Sequence, residues 1–148
     1  MNTIQINDAV QEESDHILQQ LLYYNSTKLH FDKEPPHLYI NRCIKDSNNN
    51  NNNNSDEVVG GILTKIYWNI LYIDILWVKD EYRHKGYATV LLNDVENTAK
   101  EMGCKTAHLY TYDFQAKGLY EKRGYTVFGV LEDCPEGHNC YYMSKKLV

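Results

Sequence analysis

Residues 73–102 read IDILWVKDEYRHKGYATVLLNDVENTAKEM. An apolar run, Ile73 to Val78, ends in a charged turn from Lys79 to Lys85, and a helical pattern begins at Gly86-Tyr87-Ala88. Strand, basic glycine-containing turn and helix N-terminus, in that order, make an anion site. The first N–H groups of a helix lack intrahelical partners, and the macrodipole adds partial positive charge there. Phosphate is the usual guest. Arg83, His84 and Lys85 add side-chain donors, and Gly86, without a Cβ, lets a ligand approach the backbone. The plain alternative is a basic surface connection. The turn is not a P-loop, since no Gly-Lys-Ser/Thr follows at the required spacing. Nor is it a dinucleotide fingerprint, which needs three spaced glycines and a later acidic partner.

Downstream of this stretch, Leu91, Val95, Ala99 and Met102 recur at helical spacing, so a helix is predicted over Ala88–Met102, with Gly103 as its C′ residue. Cys104–Thr111 reads as a strand. Asp113 reads as the N-cap of a short helix over Phe114–Arg123, closed by Gly124. Strands follow over Tyr125–Leu131 and Cys140–Lys146, joined by a turn that holds Pro135 and Gly137.

Upstream, Ile70–Val78 is a strand. Alternation puts Leu71, Ile73, Ile75 and Trp77 on one face and Tyr72, Asp74, Leu76 and Val78 on the other. Asn69 is the turn before it. Glu57–Trp68 is a long strand whose Gly60-Gly61 pair implies a bulge or a close backbone approach. Leu38–Lys45 is another strand. Between these two lies a low-complexity run with seven asparagines, Asn48 to Asn54, which cannot join a packed core and reads as an expanded hairpin loop over 46–56. Pro35-Pro36 rules out regular helix in Asn25–His37. At the start, Thr3–Asn7 reads as a short strand. Asp8-x-x-Gln11 reads as a capping box for a helix with Val10, Ile17, Leu18, Leu21 and Leu22 on one face. A strand–helix–strand unit after a meander implies one parallel pair in an otherwise antiparallel sheet.

Val78-x3-Tyr82-Arg83-x2-Gly86-x-Ala88 resembles the pyrophosphate-binding motif of the GNAT superfamily, the acyl-CoA-dependent N-acyltransferases. Downstream, Ala116-x3-Tyr120-Glu121-Lys122-x-Gly124-Tyr125 resembles a second segment of that family. Two motifs in the right order are far more specific than either alone. The resemblance implies one GNAT-like domain over residues 1–148. Its α/β fold would be a mixed, mostly antiparallel sheet of about seven strands flanked by three to four helices.

It also implies acetyl-CoA as co-substrate, transferred directly to a primary amine in a ternary complex. The pantetheine arm would lie where the strand before the motif parts from the next strand, bonded to the backbone of Leu76, Trp77 and Val78. Arg83, His84, Lys85, Gly86, Tyr87, Ala88 and Thr89 would wrap the pyrophosphate. Asp113 stands where the family often has an asparagine that touches the cofactor arm, although an ionised carboxylate only accepts hydrogen bonds. Tyr120 occupies the position of the general acid for the coenzyme A thiolate. The acceptor side implicates the region of Tyr23, Tyr24, His30, Phe31 and His37, with Tyr72 on the adjoining strand.

Transfer needs a neutral amine, and stripping an alkylammonium at pH 7 costs roughly 4–5 kcal/mol. Asp74, a lone carboxylate in an apolar strand, is the candidate base, with burial expected to raise its pKa. The alternatives are a buried acid satisfied by neighbouring donors and one that orders a proton-carrying water. The acceptor, a small molecule or a protein amine, stays open. A non-catalytic acyl-CoA-binding regulatory domain on the same fold is the rival reading.

Composition narrows the setting. A chain of 148 residues suits one domain, and a net charge of −5 without a basic stripe argues against a nucleic-acid partner. No apolar run reaches the roughly 18 residues of a membrane span, and the N-terminus lacks the pattern of a signal peptide. Four cysteines, Cys43, Cys104, Cys134 and Cys140, are too sparse for a disulfide scaffold, so a reduced, cytoplasmic setting is expected. Cys134-x3-His138-x-Cys140 supplies too few and too cramped ligands for zinc, so no metal is expected. Monomer and homodimer both stay open.

Overall fold

The computed structural model describes residues 4–29, 38–47 and 56–148. The chain forms two compact units, Met1–Pro35 and Pro36–Val148.

The first unit holds helix α1, Gln11–Lys28. The expected strand over Thr3–Asn7 is not there: residues 4–10 carry no regular structure, and Ile4 and Ile6 are almost fully exposed. The capping box also shifts. Val10, not Asp8, is the N-cap, and its backbone N–H donates to Glu13 Oε2 at 2.9 Å. Val10 has no side-chain acceptor, so only the backward half of the box is made.

The second unit is built on one seven-stranded sheet. Its strands are β1 (Leu38–Tyr39), β2 (Arg42–Asp46), β3 (Glu57–Tyr67), β4 (Ile70–Val78), β5 (Thr106–Tyr112), β6 (Thr126–Leu131) and β7 (Cys140–Lys146). The order is β1-β3-β4-β5-β7-β6, with β2 also on β3, and among the described residues only β4–β5 is parallel. The expected strand Leu38–Lys45 is thus split in two, each part antiparallel to β3. Asn41 at the break turns its side chain onto the sheet, where its Oδ1 accepts from Thr64 N–H at 3.0 Å. The asparagine run lies outside the described residues. Its flanks pair directly, Asp46 opposite Glu57, as a hairpin requires.

Helices α2 (Tyr87–Glu101) and α3 (Lys117–Lys122) bury one face of this sheet. Leu91, Leu92, Val95 and Ala99 of α2 pack with Ile62, Ile66, Leu71, Ile73, Leu109 and Met143 of the strands. Gly103 closes α2 at φ +87°, and Cys104 N–H reaches back to Ala99 O at 2.9 Å. Helix α3 is shorter than predicted. Ala116 is its N-cap, because residues 113–116 form a turn in which Gln115 Oε1 accepts from Tyr112 N–H.

The alternation predicted for β4 fails at one residue. Leu63 pairs with Ile75 and Thr64 with Ile73, so Asp74 is the extra residue of a β-bulge. Leu71 and Ile73 point into the core as expected. Beyond the bulge the faces exchange: Leu76 and Val78 turn inward, while Ile75 and Trp77 are exposed. The Gly60-Gly61 expectation holds. A Cβ on Gly60 would stand 3.3 Å from Trp77 O, and one on Gly61 3.1 Å from Arg42 O.

Candidate active site

Parallel pairing between β4 and β5 joins Ile70 to Thr106, Leu71 to Ala107 and Tyr72 to His108, and goes no further. Yet β4 continues to Val78 and β5 to Tyr112. The bulge at Asp74 bends β4 away, and the two strands part. The far half of β4 keeps its hydrogen bonds to β3 on one edge only, so backbone groups of residues 74–78 face the gap. Arg83 Nε takes up one of them, donating to Val78 O at 2.9 Å. Lys79 N–H bonds Val59 O of β3, so by alternation Trp77 also faces β3 and the Leu76 backbone lies with Val78 on the gap side.

The basic turn begins with a 3-10 turn, Asp80–Tyr82, and runs into α2 through a backbone of alternating sign. His84 has φ +59° and Gly86 φ +86°. Successive N–H groups in such a segment converge on one concave point, an anion nest. Val90 N–H is the first to bond within the helix, to Gly86 O. The N–H groups of Tyr87, Ala88 and Thr89 therefore lack intrahelical acceptors. The nest and the helix end lie together, and His84 and Lys85 are exposed beside them. Arg83 is held by Asp80 at 2.8 Å, and Lys85 Nζ stands 5.2 Å from the ring centre of Tyr82, whose hydroxyl bonds Asp46. This donor set fits a diphosphate.

Tyr120 sits in α3 with its ring in the core, 7% exposed, edge-on to Tyr125 at 5.8 Å. Among the described residues its hydroxyl has no hydrogen-bond partner, and it is not sealed from solvent: the sealed, unpartnered side-chain atom is Arg123 Nε. Burial pushes the phenol up to about 12, so it is a proton donor throughout the neutral range.

Asp74 is exposed, not buried. The bulge that opens the gap also turns this residue out of the regular pleat, so the desolvation expected for it is missing. Its carboxylate accepts from Tyr72 Oη at 3.4 Å. Burial first, and then the charge of Asp74, push the Tyr72 phenol up to about 12.

Asp113 does not cap α3. Its carboxylate holds the turn before β7: Oδ2 accepts from Asn139 N–H at 3.0 Å, and Oδ1 lies 2.8 Å from His138 Nδ1. The Asn139 bond is the main reason its pKa is lowered, with His138 contributing. A carboxylate so engaged is committed to the hairpin. Tyr23 and Tyr24 belong to α1, where Lys28 Nζ lies over the Tyr24 ring. His30, Phe31 and His37 lie outside the described residues.

The structure adds two residues that the sequence reading did not single out. His108 faces Tyr72 where β4 and β5 part, with ring centres 4.8 Å apart. Glu96, buried in α2, accepts from Tyr125 Oη at 2.9 Å, Lys145 Nζ at 2.6 Å and Arg123 at 3.3 Å. A helical glutamate reads as solvated until three donors converge on it. A histidine alternating with Ala107 and Leu109 in β5 was the available signal for the other.

The profile of the Acetyltransferase (GNAT) family matches residues 5–125. The chain belongs to that family. It is 34% identical over 92 residues to blasticidin-S acetyltransferase of Streptomyces morookaense, which covers 62% of this chain and 68% of that protein. The crystal structure of an acetyltransferase from Bacillus cereus superposes with a TM-score of 0.86 at 31% identity, covering 97% of both chains. Nourseothricin acetyltransferase shares the fold, with a TM-score of 0.55 at 24% identity over 62% of this chain and 59% of that one. Among the described residues no helix is long and apolar enough to cross a membrane, and no cluster of metal-ligating side chains is found.

Proposed function

We propose that this chain moves an acetyl group from acetyl-CoA to the primary amine of a small cationic acceptor, by direct transfer in a ternary complex. The observation that carries this reading is the joining of two features in one strand. β4 parts from β5 and runs straight into an anion nest, so a thioester arm and its diphosphate are held in one line. Tyr87, Ala88 and Thr89 N–H groups, with Arg83 and Lys85, hold the diphosphate. The Leu76 backbone holds the arm, and its N–H meets the developing oxyanion. Tyr120 delivers a proton to the leaving thiolate. The likeness to an acetyltransferase of blasticidin S supports a small, cationic acceptor over a protein amine.

The test is thiol release from acetyl-CoA by the purified chain against blasticidin S, polyamines, amino acids, lysine peptides and peptides with free N-termini. Turnover on the small cationic amines at a higher kcat/KM than on any peptide is expected. A preference for peptides would overturn the acceptor class. Binding of acetyl-CoA without thiol release on any acceptor would favour the acyl-CoA-binding domain instead.

A further inference from the structure

One titratable side chain at the parting of the strands has no use in the scheme above. His108 is the last residue of β5 in register with β4, opposite Tyr72. Its neighbours Ala107 and Leu109 are buried in the core under α2 and α3, so its own side chain stands on the other face. It is half-buried there, against the Tyr72 ring at 4.8 Å and an interplanar angle of 35°. Among the described residues neither ring nitrogen has a hydrogen-bond or ion-pair partner. Neither nitrogen is sealed from solvent, so both are open to a ligand at the point where the gap between the strands opens.

We propose that His108 is the base that takes the proton from the acceptor ammonium, with the Asp74 carboxylate and the Tyr72 ring holding that ammonium beside it. The proposal rests on the acetyltransferase reading above and names the residue that reading lacks. The unpartnered ring nitrogens favour His108 for the proton itself, since the Asp74 carboxylate is already engaged by Tyr72 Oη. Asp74 is better suited to attract the cation, and the Tyr72 π-face adds to that attraction.

The groups around His108 are Tyr72 and Asp74 on β4, Thr106 and Tyr110 on β5, and Ser144, Tyr142 and Lys146 on β7, with Lys65 of β3 beyond Tyr72. Lys146 Nζ is turned onto Thr106 Oγ1 at 3.4 Å. Burial lowers the pKa of His108 from its ordinary value, so at pH 7 it is the neutral, accepting form.

The protons balance. His108 takes one from the ammonium and passes it to solvent. The neutral nitrogen bonds to the acetyl carbon, and the C–S bond breaks with its electron pair on sulfur. Tyr120 protonates the thiolate, and the second proton lost by nitrogen makes good the phenol. The products are the amide, free thiol and one proton in solvent.

The experiment measures kcat/KM against pH for the full chain with acetyl-CoA and two acceptors. One is an alkylamine that is an ammonium at pH 7. The other is hydroxylamine, which is largely neutral there. Wild-type turnover on the alkylamine secures the parent reading first; no turnover with acetyl-CoA bound would overturn both readings. His108→Gln is expected to lower kcat on the alkylamine at pH 7 by about 100-fold and to remove the acidic limb of the profile. It should cost hydroxylamine less than about 5-fold and leave the Kd for acetyl-CoA unchanged. Tyr72→Leu removes the ring and should raise KM for the alkylamine with kcat nearly intact. An unchanged pH profile in His108→Gln, or equal losses on both acceptors, would overturn the proposal.

Discussion

Tyr120 has its ring in the core and its hydroxyl within reach of solvent, so the two parts can be tested apart. Tyr120→Phe keeps the edge-on packing with Tyr125 and removes only the proton. We expect kcat to fall about 10- to 100-fold, with KM for acetyl-CoA and the melting temperature little changed. Equal turnover in the variant would remove Tyr120 from the chemistry. The sign of its pH dependence follows from the raised pKa. A phenol moved from 10.0 to about 12 stays protonated as the fold requires, so its share of stability is present below pH 10 and lost as pH rises towards 12. No alkaline fall in kcat is therefore expected from Tyr120 below about pH 11. Glu96 works at the same scale but on stability. It is a buried carboxylate with three donors, two of them cationic. Glu96→Ala leaves Tyr125 and the half-buried Arg123 and Lys145 without their acceptor and should cost about 2–3 kcal/mol in urea unfolding. A loss below about 1 kcal/mol would show the pair to be solvated.

At the scale of the element, the start of α2 and the bend in β4 decide how the site is made. Gly86 takes φ +86° with open space where a Cβ would be. Gly86→Ala therefore meets no clash, and its cost is the left-handed backbone alone, roughly 1–2 kcal/mol. If the nest binds the diphosphate, relaxing that turn should raise KM for acetyl-CoA several-fold while leaving KM for the amine alone. A rise confined to the amine would place the cofactor elsewhere. The glycine, the basic turn and the helix were all legible, because each depends on a few neighbours in sequence. The bulge at Asp74 was not. Alternation assigns faces on the assumption of a regular pleat, and one extra residue exchanges them for everything that follows. That is why Ile75 and Trp77 were expected beside Ile73 and lie on the opposite face.

Across the whole molecule, the asparagine run tests how much of the chain the fold needs. Asp46 and Glu57 already pair across its base, and loop closure depends only weakly on length. Deleting Asn48–Asn54 should leave thiol-release turnover within about 2-fold of wild type. A large loss would mean the run does more than connect. By itself the sequence determined the family, the mixed sheet, the α2 helix and the basic turn before it, since these rest on periodicity and on two short motifs. Tertiary structure alone decided the rest. Thr3–Asn7 alternates as a strand does, yet alternation alone makes no strand, and residues 4–10 carry no regular structure. Asp113 looked like a cap until Asn139 and His138, distant in sequence, claimed its carboxylate. His108 became a candidate base only when β5 was laid beside Tyr72. Local patterns report the conformations a segment prefers. Which side chains face one another is set by register, and register is a property of two segments at once.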